Sequence, residues 1–332
     1  MKYYIIAGEQ SGDLHSSNLV KELKKLDDKA VFRGWGGDLM KSEGVDVVKH
    51  INEISFMGFI EVIMNLRTIT KNLKFCKTDI IQFKPDALIL VDYPGFNLRI
   101  AKFAHNMGIK VFYYVSPQIW AWKQSRVNQI KKNIDRMFVI LPFEKQFYKD
   151  FNCDVDFVGH PLLDSIENFN KEKYNENFVK DNNLDDKPII ALLPGSRKQE
   201  ISKMLKVMLE VVPYFNEYQF IIAGTNSVGK EYYENIIKGY NAKIIYNQAY
   251  NLLKNSYAAL ITSGTATLEA ALLDVPQVVC YKGSYLSYLI AKNIVKVNYI
   301  SLINIILNEG VLAELIQNNF NVNKVKEELS VF

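Results

Sequence analysis

The chain has 332 residues, of which 48% are hydrophobic and 23% charged, and this composition is typical of a soluble protein with two domains. No stretch is apolar over the length that a membrane-spanning helix needs, and three scattered cysteines and four histidines argue against a disulfide framework or a metal site. The net charge of +4 is uneven: residues 1–150 carry 23 basic against 16 acidic residues and residues 151–332 carry 17 against 20, so the first half is expected to bind something anionic.

Short apolar runs alternate with helical stretches along the chain. The runs that predict strands are Tyr3–Ala7, Ala87–Val91, Lys110–Val115, Met137–Leu141 and Val155–Val158 in the first half, and Ile189–Leu193, Gln219–Ala223, Lys243–Tyr246, Ala258–Ile261 and Gln277–Tyr281 in the second. Strands that are apolar throughout and alternate with helices predict parallel sheets covered on both faces. The first strand follows the N-terminus without a signal peptide, so we expect a cytoplasmic protein.

The most polar stretch, Asp164–Pro188, separates the two sets of strands and predicts a linker. We therefore expect an N-terminal domain of residues 1–165 and a C-terminal domain of residues 166–332. Each is predicted to be a doubly wound α/β domain. In such folds ligands bind beyond the carboxyl ends of the strands, which predicts a cleft between the two domains.

Two loops of the second half resemble anion-binding helix N-termini. In LLPGSRKQEI, Ser196 and Arg197 begin a helix directly after a strand, where backbone N–H groups, the helix dipole and a guanidinium can bind phosphate. In ITSGTATLEAAL, the turn Ser263–Thr265 begins another helix, and Glu269 follows one turn later, where a carboxylate can accept ribose hydroxyls. Helix capping beside solvated side chains is the structural alternative. Two such loops in one domain favour a nucleoside diphosphate.

The first half offers three candidate catalytic stretches. AGEQSGDLH (Ala7–His15) joins a strand to a helix but has neither the GxGxxG nor the P-loop pattern. Asp92 ends a buried strand, and desolvation there would raise its pKa toward that of a general base. An Asx turn or cap satisfied by the Gly95–Asn97 backbone accounts for Asp92 equally well. His160 is a third candidate, although a histidine that precedes a proline in a turn is more often structural than catalytic.

Two stretches combine apolar or aromatic residues with basic ones. ISFMGFIEVIMNL (Ile54–Leu66) precedes several lysines and an arginine, and Ser116–Arg136 contains two tryptophans followed by five basic residues. This mixture is typical of an interfacial membrane contact and of single-stranded nucleic-acid binding. Core packing with a solvated basic face is the simpler interpretation for either stretch alone.

Together these stretches resemble the bacterial lipid-A-disaccharide synthases. The matching segments are AGEQSGDLH, GWGGDLM, FMGFIEV, VDYPGFNLRIAK, YYVSPQIWAWKQSR, LPFE, VGHPL, LLPGSRKQEI, TSGTATLEAAL and ELIQ, in the family's order. The resemblance implies the GT-B fold, two Rossmann-like domains facing a cleft. It also implies an inverting transfer of 2,3-diacylglucosamine from its UDP derivative to 2,3-diacylglucosamine 1-phosphate, which gives the lipid A disaccharide 1-phosphate and UDP.

The resemblance and the loops together predict the site. Asp92 is the candidate base, with His15 and Glu9 as rivals. Arg197 and the helix N-termini would stabilise the leaving diphosphate, so neither a metal nor another cofactor is expected, UDP being a product. The predicted substrate-binding residues are Ser11, Gly12, Asn97, Ser196, Arg197, Glu200, Ser263, Gly264, Thr265, Thr267, Glu269, Asn304 and Gln317.

The family also implies a cytoplasmic enzyme held peripherally at the inner membrane of a Gram-negative bacterium. The predicted membrane-contacting residues are Phe56, Met57, Phe59, Ile60, Ile63, Arg67 and Lys71. Nucleic acid is not an expected partner, and a homodimer is left open. Ser16 and Ile303 depart from the family pattern, and family members usually continue beyond Phe332, so a truncated C-terminal domain is expected.

Several alternatives stay open at this point. Another GT-B enzyme that acts on a UDP-sugar, either an epimerase or a cell-wall N-acetylglucosamine transferase, would share both anion-binding loops. A non-catalytic truncated family member would keep the fold. A two-lobed solute-binding protein and a nucleic-acid binder are the candidates from other classes; the first lacks a signal peptide here, and the second predicts strongly salt-dependent binding.

Overall fold

The structure is a computed structural model that describes residues 1–54, 66–226 and 228–332. It forms two compact units, Met1–Pro161 and Leu162–Phe332. Within the described residues, no helix combines the length and the hydropathy needed to cross a bilayer.

The described part of the first unit contains a seven-stranded parallel sheet with the strand order β3-β2-β1-β4-β5-β6-β7. Its strands are β1 Lys2–Ala7, β2 Val31–Gly36, β3 Asp46–His50, β4 Ala87–Val91, β5 Lys110–Tyr114, β6 Arg136–Val139 and β7 Asp156–Phe157. Its helices are α1 Gln10–Leu26, α2 Asp38–Ser42, α3 Leu66–Phe83, α4 Pro94–Asn106, α5 Val127–Asn133 and α6 Pro142–Asp150.

The second unit contains a six-stranded parallel sheet with the order β10-β9-β8-β11-β12-β13. Its strands are β8 Ile189–Leu193, β9 Gln219–Gly224, β10 Ala242–Tyr246, β11 Ser256–Thr262, β12 Gln277–Tyr281 and β13 Glu314–Ile316. Its helices are α7 Leu162–Asn168, α8 Phe178–Asp181, α9 Lys198–Glu210, α10 Lys230–Ile237, α11 Ala249–Lys254, α12 Thr265–Leu272, α13 Tyr285–Ile294, α14 Leu302–Leu307 and α15 Val322–Leu329.

Each central strand has a core on both of its faces. In β1, Tyr4 and Ile6 belong to one buried cluster, whereas Ile5 and Ala7 belong to another. Successive side chains of a strand point to opposite faces, so both faces of this sheet are covered. The strands of the second unit divide in the same way between two clusters. The predicted fold class, two doubly wound parallel-sheet domains, is confirmed.

Three strands and the linker differ from the sequence-based expectations. β2, β3 and β13 were not predicted, because β2 is interrupted by an arginine and glycines, β3 is only partly buried and β13 is short. The polar stretch Asp164–Pro188 is not an extended linker. It contains helices, and Ile166, Phe169 and Phe178 are buried in the core of the second unit. A few apolar residues at helical spacing outweigh the polar average of that stretch.

The strand orders locate the ligand-binding edge of each sheet. In the first unit the chain order reverses between the neighbours β1 and β4, and in the second between β8 and β11. Such switch points leave a crevice outside the carboxyl ends of the two strands. The loops after β1, β4, β8 and β11 are therefore the ones in which a site is expected.

One buried carboxylate fastens α1 to the loop after β2. Asp13 is 3% exposed and accepts hydrogen bonds from the backbone N–H groups of Gly37 at 2.7 Å, Met40 at 3.1 Å and Leu39 at 3.1 Å. A Cβ at residue 37 would lie 2.5 Å from the Asp13 carboxylate, so glycine is required there. This contact explains why the segments SGD and GGDLM occur together.

We expect Asp13→Ala to lower the free energy of unfolding by about 3 kcal/mol, because three N–H groups lose a charged acceptor. Urea unfolding monitored by tryptophan fluorescence measures the change. Asp38→Ala is the matched control, since the Asp38 side chain is 91% exposed, and it should cost less than about 0.5 kcal/mol. Equal losses in the two variants would show that the Asp13 contact is not structural.

Candidate active site

Asp92 directly follows β4 at the switch point of the first unit, beside the loop that follows β1. Asp92 and Tyr93 have φ values of 45° and 47°, a left-handed conformation that is rare for two consecutive non-glycine residues. The Asp92 carbonyl is held by the Asn97 side-chain amide, which donates to it at 2.8 Å, and by the Tyr113 hydroxyl. Strain of this kind, fixed by surrounding groups, is a feature of functional sites.

The Asp92 carboxyl has a pKa raised from 3.8 to about 7. Burial is the main cause, the negative charges of Glu9 and Glu144 add to it, and a hydrogen bond from the Tyr93 N–H opposes it. A carboxylate with a pKa near neutrality can accept a proton from a hydroxyl group.

The structure does not support the alternative in which Asp92 caps the following helix. That helix starts at Pro94 after Tyr93, which makes no side-chain cap, and the N–H groups of Phe96 and Asn97 bond to the Tyr93 carbonyl. The Asp92 carboxylate is therefore not consumed by the helix start.

The two glycines of AGEQSGDLH let other parts of the protein pack closely against the backbone. A Cβ at Gly8 would lie 2.3 Å from the Tyr93 ring, which packs on the backbone there. Gly12 is buried in α1, where a Cβ would lie 3.2 Å from Ala7. Both glycines therefore allow close packing within the protein, of a ring on the backbone at Gly8 and of a helix on a strand at Gly12, which was predicted to bind substrate. Ser11, beside Gly12, is partly buried.

The two rivals of Asp92 differ in their surroundings. His15 and His160 stack edge to face with ring centroids 6.4 Å apart. The pKa of each is lowered to about 4, by burial in both cases and also by the charge of His160 in the case of His15, so both are neutral near pH 7 and weak bases. The His15 Nδ1 atom is buried without a hydrogen-bond partner. Glu9 immediately precedes α1 and acts electrostatically on Asp92.

Glu144 is a residue of this site that the sequence reasoning missed. It is 1% exposed and accepts hydrogen bonds from the N–H groups of Leu141 at 2.9 Å and Ile140 at 3.2 Å, and from Trp120 Nε1 at 3.2 Å. Burial raises the pKa of Glu144 while these donors lower it. The segments SPQIWAW and LPFE are therefore held together by one carboxylate. A glutamate at the third position of a helix that starts with proline was the available signal.

The switch point of the second unit brings the two predicted anion loops together, because they follow the neighbouring strands β8 and β11. In the first loop, Glu200 lies over Gly195, where a Cβ would be 2.7 Å from the carboxylate. Glu200 accepts hydrogen bonds from the Ser196 N–H at 3.3 Å and from Arg197 at 3.2 Å. A carboxylate therefore occupies the place in which an anion was expected.

In the second loop, two predicted hydroxyls are used within the protein. Ser263 Oγ donates to the Ile300 carbonyl at 2.9 Å, and the buried Thr267 hydroxyl donates to the Gly264 carbonyl at 2.8 Å. Gly264 is exposed and, as the N-cap residue of α12, leaves the first N–H groups of the helix without a side-chain cap. Thr265, the first residue of α12, is partly buried.

Glu269 lies one turn into α12 and has a partner that the sequence did not reveal. Tyr250 donates its hydroxyl to Glu269 Oε1 at 3.0 Å. The Tyr250 ring packs edge to face against Phe169 at 5.4 Å, which fixes its position. Burial raises the pKa of Glu269, and the hydrogen bond from Tyr250 opposes that rise.

The two remaining predicted residues of this unit differ. The Asn304 side chain is fully buried and uses its amide in bonds to Leu312 and Glu314, so it holds the segment 300–314 together. A bond from the Asn304 amide N–H groups to a ligand would require breaking one of these bonds, because both N–H groups are in use. Gln317 follows β13 with a φ of 54°, and its buried Nε2 atom has no partner, which leaves a donor unused.

The predicted membrane contact is only partly described. Five of its residues lie outside the described ranges: Phe56, Met57, Phe59, Ile60 and Ile63. Arg67 and Lys71 are exposed on α3, where Phe75 is also 45% exposed.

Comparison with known proteins gives consistent results. The family described as lipid-A-disaccharide synthetase matches residues 3–332. A lipid-A-disaccharide synthase from Syntrophus aciditrophicus is 39% identical over 332 residues, covering 98% of this chain and 86% of that protein. One from Nitrosococcus oceani is 39% identical, covering 98% and 85%.

Solved structures resemble the chain in fold. A UDP-GlcNAc 2-epimerase from Neisseria meningitidis, bound to UDP-GlcNAc, has a TM-score of 0.62 at 15% identity and covers 100% of this chain and 99% of its own. The epimerase from Methanocaldococcus jannaschii, in complex with UDP-GlcNAc and UDP, has a TM-score of 0.66 at 16% identity, covering 100% and 92%. Identities this low establish the fold alone.

The raised pKa of Asp92 predicts a pH-dependent gain in stability on its neutralisation. A carboxyl whose pKa is raised in the folded state contributes stability below about pH 4, and this is lost as the pH rises through about 7. Asp92→Asn should therefore raise the thermal midpoint by about 5 °C at pH 8 and much less at pH 5. Calorimetry at both pH values measures this. The exposed Asp28→Asn is the control, and an equal shift at both pH values would contradict the assignment.

Proposed function

The chain belongs to the lipid-A-disaccharide synthase family, and we propose that its sites carry out the transfer for which the family is named. The donor is UDP-2,3-diacylglucosamine and the acceptor is 2,3-diacylglucosamine 1-phosphate. The products are the β-1,6-linked lipid A disaccharide 1-phosphate and UDP. The observation that carries this assignment of sites is the Asp92 carboxyl, held at a switch point with a pKa near 7.

Asp92 is the general base of the proposed reaction. It removes the proton of the acceptor 6-hydroxyl, whose oxygen attacks the anomeric carbon of the donor. The bond from that carbon to the diphosphate oxygen breaks, and UDP leaves with the electron pair. Attack opposite to the leaving group inverts the anomeric configuration. His15, with a pKa of about 4, is a weaker base than Asp92.

The second unit binds the nucleotide in this proposal. The start of α12 and the loop of Ser196 and Arg197 supply N–H groups and a guanidinium for the diphosphate. Glu200 interacts with both groups of that loop, so it must move aside or share them when the diphosphate enters. The positive charge of Arg197 and the helix dipoles then stabilise the leaving group.

In this proposal Glu269 binds the ribose, and Tyr250 orients the Glu269 carboxylate. Tyr250 occupies Glu269 Oε1, which leaves Oε2 for a ribose hydroxyl. The hydrogen bond also opposes the rise in the Glu269 pKa that burial causes, and so favours the ionised acceptor that a hydroxyl donor needs.

We further propose a peripheral contact with the cytoplasmic surface of the inner membrane, where acylated substrates are held. The apolar sequence Ile54–Leu66 and the exposed Arg67, Lys71 and Phe75 on α3 support this contact, because apolar residues enter the interface while basic residues meet anionic headgroups.

The direct test supplies the protein with both diacylated sugars and measures UDP and disaccharide. We expect equal amounts of the two products. Asp92→Asn should reduce turnover by at least about 100-fold and leave UDP binding unchanged, because the base acts on the acceptor. Loss of UDP binding in this variant would remove Asp92 from the role of base, and absence of disaccharide from the wild-type protein would refute the function.

Tyr250→Phe tests the ribose contact separately. We expect it to weaken UDP binding by about 5- to 20-fold and to weaken 2′-deoxy-UDP or 3′-deoxy-UDP binding much less, because the lost effect acts through a ribose hydroxyl. Calorimetric titration of each nucleotide measures this, with the exposed Tyr257→Phe as the control. An equal loss for UDP and both deoxy analogues would mean that Tyr250 only stabilises the fold.

A further inference from the structure

Two cations lie on one exposed indole ring in the first unit. Trp122 is 42% exposed, and its ring centroid lies 4.8 Å from Lys123 Nζ and 5.3 Å from the Arg126 guanidinium carbon. The turn Gln124–Arg126, in which the Arg126 N–H bonds to the Lys123 carbonyl at 3.0 Å, brings both side chains to the same ring. Cation–π contacts hold a charge in place without neutralising it.

Arg126 is also close to a third cation. Arg99 lies on α4 and Arg126 directly precedes α5, and these helices pack against each other. Burial lowers the pKa of Arg126, the charge of Arg99 lowers it further, and Tyr113 opposes this. The site is therefore one where positive charges crowd together and water is partly excluded.

No carboxylate of the described residues lies within 4.0 Å of Arg99, Lys123 or Arg126. By contrast, Arg33, Arg136 and Arg197 each have a carboxylate partner. A partly buried guanidinium beside a second one is unfavourable unless an anion completes the site. A phosphate, which accepts bidentate hydrogen bonds from arginine, is the anion that suits such a cluster.

The cluster lies at the same sheet edge as Asp92. It follows the carboxyl end of β5, which pairs with β4, the strand that Asp92 follows. Tyr113 connects the two, since its hydroxyl donates to the Asp92 carbonyl and also interacts electrostatically with Arg126. A phosphate bound here would therefore lie at the same sheet edge as the Asp92 carboxyl.

We propose that Arg126, together with Lys123 and Arg99, binds the anomeric phosphate of the acceptor sugar. This inference rests on the proposed function and assigns the acceptor a phosphate subsite. A phospholipid headgroup offers the same phosphate ester chemistry. The acceptor phosphate is the better match because the cluster and the proposed base follow the carboxyl ends of neighbouring strands, whereas a headgroup would need no such placement.

The test compares two acceptors, 2,3-diacylglucosamine 1-phosphate and the same sugar without its phosphate, in detergent micelles. Binding of each acceptor alone and kcat/KM for each are measured. We expect Arg126→Gln to weaken binding of the phosphorylated acceptor by about 10- to 100-fold and to leave binding of the dephosphorylated acceptor almost unaffected. The loss in kcat/KM for the phosphorylated acceptor should come from a higher KM. Arg126→Lys should restore part of the preference.

Lys132→Gln is the matched control, since Lys132 is an exposed cation on the adjacent α5, and it should keep the full preference. A phosphate preference that persists in Arg126→Gln would overturn the inference. So would a variant that loses binding to phosphatidylglycerol vesicles, relative to phosphatidylcholine vesicles, while it keeps the acceptor preference. If the wild-type protein binds the acceptor with this preference but forms no disaccharide, the phosphate subsite stands and the proposed function fails.

Discussion

The candidate site of the first unit depends on the hydrogen bonds to one backbone carbonyl, that of Asp92. Asn97 and Tyr113 both donate hydrogen bonds to the Asp92 carbonyl, and this holds Asp92 and Tyr93 in left-handed conformations that neither residue favours. The turn places the Tyr93 ring on Gly8 and the Asp92 carboxyl among other negative charges. The loop after β1, the end of β4 and the end of β5 are therefore parts of a single arrangement. Beyond β5, Glu144 joins Trp120 to the start of α6.

The second unit also has a switch point in its sheet, but different groups follow the strands there. Its switch point joins two helix starts rather than a buried carboxyl, and its carboxylates, Glu200 and Glu269, are each held by a neighbouring donor. The first unit therefore raises the proton affinity of the Asp92 carboxyl, and the second holds two helix starts side by side. The proposed glycosyl transfer needs a base at the attacking hydroxyl, the role proposed for Asp92, and a stabilised leaving group, the role proposed for the helix starts.

The sequence predicted the central strands and the loops that follow them, because buried parallel strands are apolar runs and the anion loops have a distinctive composition. β8 and β12 begin and end as predicted. Long-range partners could not be predicted in this way. Nothing near Asp13 indicates that it binds the N–H groups of residues 37–40, and nothing near Glu269 indicates Tyr250. Such contacts depend on how distant segments pack together. A single sequence does not show which of its residues will be in contact.

If the fold makes Asp92 a base, the pKa of its carboxyl must be raised in the protein without bound substrate. Carbon-13 labelling of aspartate carboxyls, with Asp92→Asn to assign the resonance, allows its titration to be followed by NMR. We expect a midpoint near pH 7 that moves down in Glu9→Gln, because the charge of Glu9 contributes to the raised pKa of Asp92. A midpoint near the ordinary 3.8, unaffected by Glu9, would contradict it.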